Sequence, residues 1–146
     1  MASVSWSTLH SRVATQVETV SGFAESLWPL DPSSSPETLA DKAFAVELEP
    51  SIERLTRQQD GKLALVDTVV VVRFLRQVSP HDQVTTLRSG YDDAEGILQA
   101  LMAQQAAAWN AGLRVVFVGG PTVERIAGGD YLRYTLRFHI RHSLTF

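Results

Sequence analysis

Four histidines, one His-Asp step and one evenly spaced row of arginines are the places in this 146-residue chain where residue type and spacing suggest chemistry. His139 and His142 would suggest a metal pair, but they fall in a stretch that alternates with period two. On a strand, residues three apart point to opposite faces, so these two cannot share one ion. His81 beside Asp82 offers a base with its orienter, yet adjacent side chains rarely face one another and no companion nucleophile is marked. A polar loop tip is the better reading of that step. No GxSxG elbow, GxxxxGK[ST] loop, HExxH helix or cysteine cluster occurs. Gly119 with Gly120, and Gly128 with Gly129, open no helix, so they read as turn residues and not as phosphate cradles. The expectation is therefore no catalytic residue, no cofactor site and no metal site.

Arg133, Arg137 and Arg141 stand four residues apart on one parity of the same stretch, roughly 13 Å between neighbours at strand rise. Two readings compete. The row faces another subunit or passing DNA, or acids such as Glu47, Glu49 and Asp67 on neighbouring strands pair with it. Together with His81, Asp82 and Arg88 in the segment Ser79 to Arg88, these arginines are the candidate interface residues. Aromatic residues are not interleaved on the basic parity, which argues against base stacking.

The elements that must hold these residues read as follows. From Tyr131 to Phe146, Leu132, Tyr134, Leu136, Phe138, Ile140, Leu144 and Phe146 share one parity, and only His142 interrupts it. That pattern predicts one long strand with an apolar and a basic face. Apolar residues stepping by three or four from Val4 to Trp28 predict an amphipathic helix, capped by Ser5 or Ser7 and weakened at Gly22. Pro29, Pro32 and Pro36 predict a surface loop. A short strand from Phe44 is expected to stop at Pro50, with Ile52 to Thr56 continuing it or opening another. Asp60 and Gly61 predict a hairpin into a long central strand, Lys62 to Val78. Ser79 to Arg88 is expected to be a loop, and Asp92 with Glu95 the start of a helix running to Gly112. Leu113 to Val118 predicts a strand broken at Gly119 to Pro121, with Thr122 to Ile126 resuming it before a turn at Ala127 to Asp130. The sum is an α+β domain over residues 1–146: a mainly antiparallel sheet of four to five strands with two helices packed on one face.

Sixteen acids against thirteen Lys and Arg, net charge −3, argue against a dedicated nucleic-acid binder. The longest apolar run, Val69 to Val72, is far short of the ~20 residues of a membrane span. The start, Met1 to Ser7, lacks the basic and apolar blocks of a signal peptide. A soluble protein made in the cytoplasm is expected.

In length and order the chain resembles the tail terminator or tail completion proteins of long-tailed bacteriophages, including prophage and gene-transfer-agent relatives. The resemblance rests on the opening helix (Trp6 to Leu27), the Pro-rich crossing, the long strand Lys62 to Val78, the helix Asp92 to Ala111 and the closing hairpin. The phrase Tyr134, Thr135, Leu136, Arg137, Phe138, His139 is similar to the family's closing strand. The resemblance implies a virion protein at the head-proximal end of the tail, made in the host cytoplasm. It implies no enzyme and no cofactor, but a homo-oligomeric ring, usually a hexamer, that caps the tail tube, ends its polymerisation and meets the head connector protein. DNA would pass through the lumen of such a ring. The alternatives are a head-tail connector or neck protein and a small α+β ligand-binding domain or enzyme.

Overall fold

The computed structural model describes residues 3–26, 39–57, 63–102 and 108–145. Two helices, α1 (Trp6–Glu18) and α2 (Gln83–Met102), accompany five strands, β1 (Ala24–Glu25), β2 (Ala43–Arg57), β3 (Leu63–Gln77), β4 (Arg114–Ile126) and β5 (Tyr131–Thr145). The strands form one sheet in the order β1-β2-β3-β5-β4, antiparallel except for the short β1–β2 pair. Both helices lie on one face of it, where Leu9, Val13, Val17, Ile97 and Leu101 share a core with Val70, Val72, Phe74, Leu136 and Phe138. This is the α+β architecture that the alternation and helical spacing predict.

The closing strand keeps its parity. Leu132, Tyr134, Leu136, Phe138 and Ile140 are all buried under the helices. His142, the exception in that row, is buried with them and replaces packing by hydrogen bonds. Its Nδ1 lies 2.9 Å from the Val4 carbonyl and its Nε2 2.7 Å from the Thr68 hydroxyl, which in turn accepts from the Trp6 indole at 3.0 Å. A carbonyl can only accept, so Nδ1 carries the proton and Nε2 accepts from Thr68. Every partner in this chain is then satisfied by the neutral imidazole. Burial lowers the His142 pKa, against smaller raising effects from the Val4 carbonyl and Asp67. Between the folded value and the unfolded one, about 6.5, only the unfolded chain takes up the extra proton. The contribution is therefore complete above that pH and is lost as the pH falls below it, with a slope of at most about 1.4 kcal/mol per pH unit. Urea unfolding between pH 7.5 and 5 is expected to show this slope, and His142→Gln to flatten it.

Several boundaries differ from the sequence reading, each for a local reason. The first helix is capped by Ser5, whose hydroxyl accepts from the Thr8 amide at 3.1 Å, but it ends at Glu18 and not at Trp28. Thr19 closes its last turn, Gly22 takes a positive φ of 85°, and the chain then enters the sheet as β1 beside Ala43 and Phe44. Phe23 stands edge-on to Phe74 at 5.2 Å. The expected Pro-rich loop lies outside the described residues, as does the Asp60–Gly61 turn.

β2 does not stop at Pro50, because from Ala45 onward its outer side has no neighbour among the described residues, and an edge tolerates a residue without an N–H. Residues 52–56 continue it. The expected loop Ser79 to Arg88 is shorter, since α2 already begins at Gln83. Asp82 caps it through the Thr85 amide at 3.0 Å, and these hydrogen bonds from Thr85 lower the Asp82 pKa. Asp92 and Glu95 are consequently exposed mid-helix residues and not a cap. A 3-10 turn, Ala108–Asn110, precedes β4. β4 is one strand with register shifts around Gly119, not two pieces, and the turn at Ala127 to Asp130 joins it to β5 as a hairpin.

Candidate interface on the open face and edge of the sheet

Because both helices occupy one face, the other parity of each strand forms an open face. At one end Ala43, Ala45, Leu75 and Ile126 are buried, packed with Leu39 and Tyr131. Elsewhere on this face charged residues form four pairs. Glu47 meets Arg73 at 2.5 Å, Glu49 meets Arg137 at 3.4 Å, Asp67 meets Arg141 at 2.9 Å and Glu124 meets Arg133 at 2.8 Å. The antiparallel register makes two of these contacts direct, with Asp67 opposite Arg141 and Glu124 opposite Arg133. Arg137 must reach across β3, which keeps its pair long and exposed.

The three candidate arginines are thus each matched by an acid of the same chain. Glu49 and Asp67 supply two of the three acids, as the ladder reading allows, and Glu124 on β4 supplies the third. Arg133 is only 7% exposed, whereas Arg137 and Arg141 keep their side chains nearly half exposed. This difference carries a prediction. Arg133→Ala is expected to lower unfolding stability by roughly 1–2 kcal/mol, because it strips a buried, charge-assisted contact. Arg137→Ala is expected to stay within about 0.5 kcal/mol. The urea midpoints of the two variants check it.

His81 and Arg88 are exposed, and Asp82 is committed to capping α2, where the Arg88 charge adds a smaller downward pull on its pKa. They belong to the helix layer and its entry turn, so the fold does not gather them with the arginine row. His139 is exposed on the open face while His142 is buried on the other, as the strand offset requires. Among the described residues no group of three or more His, Cys, Asp or Glu is placed to hold a metal.

Two features were not singled out from the sequence. A groove of about 550 Å³ lies between the start of α2 and the β4–β5 turn, with Val84, Leu87, Val123 and Leu132 among its walls. The other is the edge strand β4, where Val116 and Val118 are 48% and 53% exposed beside a hollow of about 280 Å³ that Arg114, His139 and Arg141 also line. Val115 and Phe117 on the opposite parity are apolar too, so the run Val115 to Val118 carries no alternation that would reveal an outer face. No helix among the described residues is long and apolar enough to cross a membrane. Neither the protein-family models nor the curated proteins compared with this chain match it.

Proposed function

We propose that this chain is a structural virion protein that forms a ring on the head-proximal end of a phage tail, caps the tail tube, ends its growth and joins it to the head connector. The observation that carries the reading is the edge of the sheet: β4 has no neighbour on its outer side among the described residues and exposes Val116 and Val118 beside it. An unpaired edge with apolar flanks is a ready template for another chain. A sheet with one face covered by helices and two unlike edges suits head-to-tail repetition, which generates rings. The resemblance in element order points the same way.

The expected result is that light scattering, on the protein alone or mixed with tail tubes, gives a mass several times the 16.1 kDa of one chain. A monomer under both conditions would sink the reading. Rings that bind capsids and ignore tubes would select the connector or neck protein. The groove at α2 is the observation that favours a small ligand-binding domain. A monomer whose melting temperature rises with a small molecule would select that reading.

A further inference from the structure

An arginine at one sheet edge and two half-exposed glutamates at the other say how copies would meet. On β4, Arg114 stands directly opposite Arg141 of β5, and Arg141 is already engaged by Asp67 at 2.9 Å. Like charges opposed across two strands repel. Asp67 lines the same hollow but is engaged with Arg141, and among the described residues no acid pairs with Arg114, so its charge is left at the rim beside exposed Val116 and Val118. The far edge has the opposite character. Beyond Phe44 no described residue covers the outer side of β2, and its open-face residues are Ala45, Glu47 and Glu49. Both glutamates are bonded through Oε2, with side chains 39% and 54% exposed, and a carboxylate accepts at both oxygens.

We infer that β4 of one copy pairs antiparallel with β2 of the next through Arg114–Val118, setting Arg114 against Glu49 of the neighbour and covering Val116 and Val118; against Glu47 the stretch would run onto Ala43 and Phe44, whose outer side β1 already occupies. This rests on the ring reading above. β2 and β5 run one way and β3 and β4 the other, so β4 meets the β2 of an identically oriented copy antiparallel without turning the sheet over. The open faces then stay on one side, bringing the Arg114, Val116, Val118 row beside the Ala45, Glu47, Glu49 row. The register shifts around Gly119 end the regular part of β4 after Phe117, which limits the new ladder to a short stretch.

The chain has no cysteine, so introduced thiols report the contact directly. Three double variants, Val116→Cys with Ala45→Cys, Glu47→Cys or Glu49→Cys, report the register, the Glu47 pair being the one that Arg114 against Glu49 requires, and are oxidised alone and on tail tubes. The Glu47 pair is expected to give a ladder of linked multimers while the single variants give none, and a ladder from another pair alone overturns the register. Arg114→Glu should weaken assembly roughly tenfold, and adding Glu49→Arg should restore it. A ring that forms with no pair linking and with Arg114→Glu harmless overturns the edge assignment and leaves the ring reading standing. Val116→Cys linking to itself overturns it in favour of a two-fold β4 contact. A monomer in every condition overturns the ring reading and this inference together.

Discussion

Phe138→Asp is expected to leave no soluble folded protein. Phe138 is fully buried between the helices and the centre of the sheet, tilted against Phe117 at 5.5 Å. Losing a buried aromatic costs roughly 3–5 kcal/mol, and an unpaired carboxylate in the same place adds several more. Domains of this size have only about 5–15 kcal/mol to lose. Leu136→Asp, 1% exposed on the same parity, should behave alike. Arg137→Ala lies between them in sequence and on the other face, and should express and melt almost normally. Circular dichroism of the soluble fractions decides it. If all three variants fail equally, or all three survive, the assignment of faces is wrong.

The second large effect is expected at a position with no side chain. Gly90 faces the Tyr134 ring from within α2, and a Cβ built there would lie 2.1 Å from the phenol carbon and its oxygen. Tyr134 has little freedom to withdraw. Its ring is stacked on Phe74 at 4.8 Å, meets Tyr91 edge-on at 5.8 Å, and its hydroxyl donates to the Leu87 carbonyl at 2.8 Å. Burial pushes the Tyr134 phenol up to about 12. In an ordinary exposed helix Gly→Ala would stabilise by roughly 1 kcal/mol. Here overpacking of roughly 1–3 kcal/mol and the weakened hydrogen bond, about 1 kcal/mol, outweigh that gain. Gly90→Ala should therefore lower stability by about 1–3 kcal/mol and push α2 off the sheet. In a Tyr134→Leu background the same change should become neutral or stabilising. A plain stabilisation in the parent chain would show that the ring is not held as described.

The arginine row bears on function differently from a bare basic stripe. Acids of the same chain pair with Arg133, Arg137 and Arg141, so a triple change to Gln should act on stability first. On the open face, no acid among the described residues pairs with Arg114, which alternation did not mark. Its interest comes from standing against Arg141 at the rim of the sheet.

What the sequence determined by itself follows from the two periods of regular structure. Tyr131 to Thr145 reads as a two-faced strand because one parity meets the helices and the other does not, and Trp6 to Val17 reads as a helix because one stripe faces the sheet. Ends and partners were decided by the tertiary structure. Val20 and Ala24 continue the helical spacing by coincidence, and only the positive φ at Gly22 and the pairing of Ala24 with Ala43 show that the chain has left the helix. α2 begins well before Asp92 because its first buried positions are Thr86 and Gly90, which carry no apolar signal. Gly90 is there to make room for Tyr134, a contact between residues far apart in the chain. Pro50 sits within β2 because that strand lies near an edge, and strand order is not written in any local window. The same holds for the candidate interface. Which arginine finds an acid depends on register, and which valines stay exposed depends on β4 being last in the sheet, so both were settled only when the strands came together.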